Sequence, residues 1–294
     1  MSEKNREAKR SARERLQQER EADRVREKRR RTLVVSGAVV GVLALAGVVG
    51  VAAANMGKSG GSGAAGPVSA PTGVSGKDDL AIPVGADDAP STLTIWEDFR
   101  CPACAQFENG FRATIHDLEK KGQLKVEYHL ATLIDRNMGG TGSLRSANAA
   151  ACAQDVGKFA PYHDVLYVNQ PMETDDTFAE NSYLLKLAGK VDGLTAAPGF
   201  RKCVEDGAHD KWVEKSAEAF RTGGFSGTPT VLLNGEAVFP KKGDENITPD
   251  NLRKWVAEAN KGKKAGTLTP QAPDSGPAQG PAAEPGAGDP APAA

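Results

Sequence analysis

Apolar residues occur in this chain in three patterns: an unbroken run over residues 33–54, short strand-like clusters near 92–99, 124–133 and 230–239, and helical spacing through most of 105–221. Over 92–99 the cluster Leu93, Ile95, Trp96, Phe99 predicts a strand, and Phe107, Phe111, Ile115 and Leu118 then fall on one helical stripe that ends at Gly122. A second strand is expected at 124–133. Glycines break the chain at 139–142, and helical patterns follow at 144–159, 162–168, 177–188 and 208–221. Strand character returns at 230–233, where Asn234-Gly235 is a two-residue hairpin turn leading into Ala237-Val238-Phe239. Thr248 and Pro249 then open a last helix whose inner face carries Leu252, Trp255 and Val256, stopped near Gly262. The predicted order is β, α, β, helical insertion over about 139–222, β-hairpin, α.

The run at 33–54 holds 22 uncharged residues, about 33 Å as a helix, against about 30 Å of bilayer hydrocarbon. Residues 1–31 carry 13 Lys/Arg and 7 Asp/Glu, whereas the whole chain has a net charge of −1. Lys28, Arg29, Arg30 and Arg31 abut the apolar run, so the positive-inside bias places the N-terminus in the cytoplasm and the rest outside. Cleavage after Ala52-Ala53-Ala54, as in a secretory signal, is the alternative to an uncleaved anchor, and both put the later cysteines in an oxidising compartment. The mixed Arg and Glu of the basic segment fit a solvated tail that touches anionic lipid, and its lack of aromatic residues argues against nucleic-acid binding. Gly, Ser, Ala and Pro dominate 56–77 and again 265–294, compositions too poor in large apolar residues to build a core. The organisation expected is therefore a basic segment at 1–31, a transmembrane helix at 32–55, a linker at 56–77, one globular domain at 78–264 and a disordered tail at 265–294.

The chemistry of that domain centres on Cys101-Pro102-Ala103-Cys104, which sits where the first strand gives way to the first helix. Two residues between cysteines let the sulfurs meet across one turn, and the unpaired N–H groups of a helix N-terminus favour a thiolate on the first. Cys101 is thus the expected nucleophile and Cys104 its resolving partner. Cys152 and Cys203 complete a set of four cysteines in an exported chain and are read as a structural disulfide, with two buried free thiols as the alternative. A zinc site on Cys101 and Cys104 would need a second close pair of ligands, and His116, His129, His163 and His209 are scattered, so no metal is expected. His163, between Tyr162 and Asp164, reads as a hydrogen-bonded core or surface residue.

Trp96-Glu97-Asp98-Phe99-Arg100-Cys101-Pro102-Ala103-Cys104, Tyr162-His163-Asp164 and Gly227-Thr228-Pro229-Thr230 together resemble the DsbA-like thiol-disulfide oxidoreductases of the thioredoxin superfamily, most closely the anchored or secreted Gram-positive and actinobacterial members. The resemblance covers about residues 78–260. It implies an α/β thioredoxin fold with an inserted helical domain, here preceded by a single transmembrane helix, and disulfide formation in exported cysteine-containing proteins without a cofactor. It further implies recharging by a quinone-linked membrane partner of the DsbB or vitamin K epoxide reductase type. Pro229 takes the place of the family's cis-proline facing Cys101, and the backbone of Thr228 is expected to pair with an extended substrate. Many members carry an acid six residues before the first cysteine. Here that position is Ile95; Glu97 is a candidate to assist Cys104, with surface charge the expected role for at least one of Glu97 and Asp98. Arg100 either favours the Cys101 thiolate or is solvated. The dipeptide Pro102-Ala103 leaves redox direction open, so a reductase or isomerase, or an anchored peptide-binding chaperone without activity, are the alternatives.

Overall fold

The computed structural model describes residues 68–268. The predicted transmembrane run and basic segment lie outside them, as does most of the tail; among the described residues no helix is long and apolar enough to cross a membrane.

The sheet has the order β1-β3-β2-β4-β5. Its centre is β2 (Thr92–Glu97), parallel to β3 (Lys125–Leu130) on one side and antiparallel to β4 (Thr230–Leu233) on the other. Helix α1 (Pro102–Lys120) makes the crossover between the parallel pair, as a parallel connection requires. Its stripe is buried as the spacing predicts, with Phe107, Phe111, Ile115 and Leu118 all turned inward. At the other edge Asn234 (φ 50°) and Gly235 (φ 86°) make the tight turn into β5 (Glu236–Ala237), the left-handed pair such hairpins need. Thr248 accepts a hydrogen bond from the Asn251 N–H and caps α8 (Pro249–Ala259), which buries Leu252, Trp255 and Val256 and packs on α1.

Several elements escaped the sequence pattern. Strand β1 (Ile82–Gly85) pairs antiparallel with β3, although Pro83 and the short apolar run gave no strand signal; an edge position tolerates the proline. The second strand ends at Leu130, and the helical insertion starts six residues earlier than 139, with α2 (Leu133–Met138). It continues through α3 (Gly142–Asp155), α4 (Phe159–Val168), α5 (Asn181–Ala188), α6 (Phe200–Asp206) and α7 (Asp210–Thr222), so α2 and α6 are additions. A two-stranded ribbon, β6 (Lys241–Lys242) with β7 (Glu245–Asn246), follows the hairpin. The linker expected to run to 77 is held earlier: Pro71 is buried, the Thr72 N–H bonds to Asp155, and Ser75 bridges to Ala81. On the far side Gly266 and Thr267 donate backbone N–H groups to Gly122 and Asp88, past the expected boundary at 264.

Arg100 ties the insertion to the sheet. It is 4% exposed and reaches Asp135 (2.6 Å), Asp176 (2.9 Å) and the carbonyls of Gly139 and Glu173. The solvated role does not hold, because the guanidinium is buried against these partners. Gly142 is needed beside it, since a Cβ there would lie 2.5 Å from Asp176 and 3.0 Å from the Arg100 side chain. Arg100→Met is expected to destabilise the domain by about 3–5 kcal/mol, the range for breaking a buried pair from one side. Thermal unfolding measures that loss, and the Cys101 titration should remain in place.

Candidate active site

Cys101 caps the N-terminus of α1, with Pro102 as the first helical residue. Proline suits that position because the N–H it lacks has no partner in the first turn. The cap is fixed by the Cys101 N–H bonding to the Asp98 carbonyl (2.9 Å) and by Gln170, whose side-chain amide donates to the carbonyls of Phe99 and Cys101. Both thiols are free, and both are buried, Cys101 at 7% exposure and Cys104 at 0%.

The two sulfurs have opposite acidities. A hydrogen bond from the Cys104 thiol is the largest influence on Cys101 and lowers it to about 6; burial opposes this, while Thr228 and the N–H groups of Cys104 and Ala103 add to it. Burial pushes Cys104 well above the usual thiol value, and the neighbouring Cys101 sulfur and the Glu97 charge push the same way. One sulfur is therefore a thiolate at neutral pH and the other a thiol.

Thr228 and Pro229 face this pair. The Thr228–Pro229 bond is cis, the Cys101 Sγ lies 3.3 Å from the Thr228 carbonyl, and the Thr228 hydroxyl is buried with no hydrogen-bond partner. Cys152 and Cys203 stand apart from this site, joined as a disulfide between α3 and α6.

Glu97 and Asp98 are both buried, at 0% and 1%, so surface charge is the role of neither. Glu97 is the last residue of β2 and Asp98 lies just beyond it, so strand alternation does not govern the pair. Asp98 accepts from the N–H groups of Ile134 and Arg100, and burial outweighs these bonds to raise it to about 7. Glu97 meets His163 at 2.9 Å, so His163 is a buried ion-pair partner and not a surface residue. Burial alone would lower His163; the Glu97 charge and hydrogen bonds with Asp164 and Glu97 overcome it and lift the imidazole to about 10. Two further buried acids, Glu108 and Glu119, project from the apolar face of α1. Their phase on the helical stripe, four residues after Cys104 and Ile115, was a readable signal. Nothing local marks Gln170, which lies 69 residues from Cys101.

A family model described as thioredoxin matches residues 77–258. The chain belongs to the thioredoxin family. Within it, the solved structures of disulfide bond oxidoreductase DsbG and of oxidised DsbA from Mycobacterium tuberculosis are each 27% identical to this chain. Both cover 61% of it, span 86% and 92% of their own lengths, and superpose with TM-scores of 0.52 and 0.51. This thioredoxin-family chain is thus of the DsbA-like thiol-disulfide oxidoreductase type. A third relative is the serine/threonine-protein kinase PknE of Mycobacterium tuberculosis, 30% identical over 161 residues, or 50% of this chain. That match spans only 27% of the kinase's length.

Proposed function

We propose that this protein forms disulfide bonds in exported, cysteine-containing proteins by exchange at Cys101 and Cys104. The observation that carries the reading is the split acidity of the pair: a Cys101 thiolate at a helix N-terminus above a buried Cys104 thiol. With the pair oxidised, a substrate thiolate attacks Cys101 Sγ, the bond to Cys104 breaks, and Cys104 leaves with the electron pair and takes a proton. The substrate's second thiolate then attacks its own sulfur of the mixed disulfide and expels Cys101, which departs readily because its thiolate is stabilised. The substrate leaves oxidised and the enzyme reduced.

Thr228 and Pro229 are the substrate-contacting residues in this reading. Pro229 offers no N–H, and the Thr228 backbone is available to an extended peptide beside the nucleophile. Cys152 and Cys203 take the structural role. Residues 32–55 anchor the domain, with 1–31 in the cytoplasm, the stretch from 56 to Pro71 as the tether and the residues beyond Thr267 as an extracytoplasmic tail. A membrane oxidase, quinone-linked, returns the pair to the disulfide.

The test is a trap. In full-length Cys104→Ser, the mixed disulfide between Cys101 and glutathione or a reduced, unfolded substrate protein cannot be resolved internally and should accumulate as a species seen on non-reducing gels and by mass. A variant that forms no such adduct, while wild-type protein still folds the substrate, would overturn the assignment of Cys101 and favour an anchored peptide-binding chaperone.

A further inference from the structure

Behind the cysteine pair lies a group of ionisable side chains that packing does not explain. Glu97 from β2, Glu108 and Glu119 from α1, and His163 and Asp164 from α4 are all at most 7% exposed. They form a line. Glu97 Oε1 is 2.9 Å from His163 Nε2, His163 Nδ1 is 3.6 Å from Asp164 Oδ1, and Asp164 Oδ2 is 3.6 Å from His116 Nε2. The His116 side chain is 29% exposed, so the line ends at water. At its other end Glu97 Oε2 is buried with no hydrogen-bond partner, and the Glu97 charge acts on Cys104.

We propose that His163, Asp164 and His116 form a relay that works through Glu97 to carry the Cys104 proton between the buried sulfur and solvent. The inference rests on the exchange chemistry of the preceding section and adds residues that do not touch the sulfurs. The need for it is physical: Cys104 must lose a proton each time it attacks and gain one each time it leaves, and it has no exposure of its own.

The charges along the line suit the task. The Glu97 charge, with hydrogen bonds to Asp164 and Glu97, keeps His163 protonated against the effect of burial. Asp164 is held below the usual carboxylate range: burial would raise it, but bonding to His163 and the charges of His163, His116 and Arg112 prevail. Arg112 Nε lies 3.0 Å from Asp164 Oδ1. His116 is lowered, chiefly by burial, which leaves its ring free to accept a proton near neutral pH. Burial raises Glu108 and Glu119, so these two remain neutral and do not compete as acceptors. Tyr128 and Tyr167, whose rings lie against His163, are likewise raised by burial and stay neutral.

During reoxidation Cys101 is in a mixed disulfide. Glu97 takes the Cys104 proton, and the thiolate attacks Cys101 Sγ, forming the internal disulfide and expelling the other thiolate. Neutralising Glu97 removes the charge that holds the second proton on His163, so His163 releases its Nδ1 proton through Asp164 and His116. Glu97 and His163 share one proton before the step and one after it, and a single proton has passed to solvent. The two 3.6 Å gaps are ion-pair distances that side-chain motion must close for each transfer.

Stopped-flow reaction of the reduced full-length chain with oxidised glutathione separates the two halves. A concentration-dependent phase reads Cys101 attack, and a concentration-independent phase reads glutathione release by Cys104. His163→Gln should slow the second phase by about 100-fold, the lower end of general acid–base effects, and leave the first unchanged. His116→Ala should slow it several-fold, with the rate restored by added imidazole or by raising the pH. Since His116 lies at the surface, that variant keeps the test open if His163→Gln fails to fold. A second phase at wild-type rate in His116→Ala, or one slowed equally at every pH and imidazole concentration, would overturn the relay. Absence of the second phase in wild-type protein would instead overturn the exchange reading on which the relay rests.

Discussion

Full-length Cys101→Ser is expected to lose all thiol-disulfide exchange, because it removes the sulfur that, among the described residues, has a lowered pKa and lies against the Thr228 carbonyl. The readout is oxidative refolding of a reduced substrate protein, which should fall to the uncatalysed rate. The same variant should abolish the ultraviolet thiolate band that wild-type protein is expected to show titrating at about 6. That titration has a consequence for stability. The folded-state value lies below the ordinary thiol value of 9.0, so its stabilising effect is complete above the unfolded value and fades as pH falls through about 6. Only the reduced form has the thiolate. The stability of the reduced protein relative to the oxidised should therefore decline from pH 9 toward pH 6, as measured by denaturant unfolding of the two forms. Residual exchange in Cys101→Ser would place the reactive sulfur elsewhere.

Replacing both Cys152 and Cys203 with alanine should give the second large effect, on stability and not on chemistry. The disulfide joins α3 to α6 across a sequence separation of 51 residues. A loop of that length corresponds to about 4 kcal/mol of unfolded-state entropy. For a domain of this size that lowers the melting temperature by roughly 8–16 °C. Exchange at Cys101 should persist at low temperature, since neither residue contacts the active cysteines. An unchanged melting temperature would mean that the apolar contacts of Tyr162, Leu184 and Phe200 already hold the insertion without the bond.

The parts of the fold legible in the sequence were those with strong local signals. The α1 stripe, the Asn234-Gly235 turn and the Thr248-Pro249 start are each set by residues within a few positions of one another. What escaped depends on distant partners. Strand β1 exists because β3 offers it an edge, and α2 begins where the buried Asp98 carboxylate accepts the Ile134 N–H. The cysteine pair was legible for the same reason as the helix that carries it. The charged line behind it was not, because Glu97, His163 and His116 come from β2, α4 and α1 and meet only when the insertion packs on the crossover helix. Local alternation places one of Glu97 and Asp98 at the surface, but Asp98 lies beyond the end of β2, and both are buried against the insertion, on His163 and the Ile134 N–H. Arg100 was misread similarly, its partners Asp135 and Asp176 lying in the insertion.

The measurement that bears most directly on disulfide donation is the reduction potential of Cys101/Cys104 in the full-length chain. Equilibration in glutathione buffers, followed by alkylation and mass mapping of the peptide holding both cysteines, keeps the Cys152–Cys203 bond out of the signal. The stabilised Cys101 thiolate favours the reduced form and predicts an oxidising pair, near or above roughly −180 mV. A value near roughly −270 mV would contradict the account and assign the site to a reductase supplied with electrons from elsewhere.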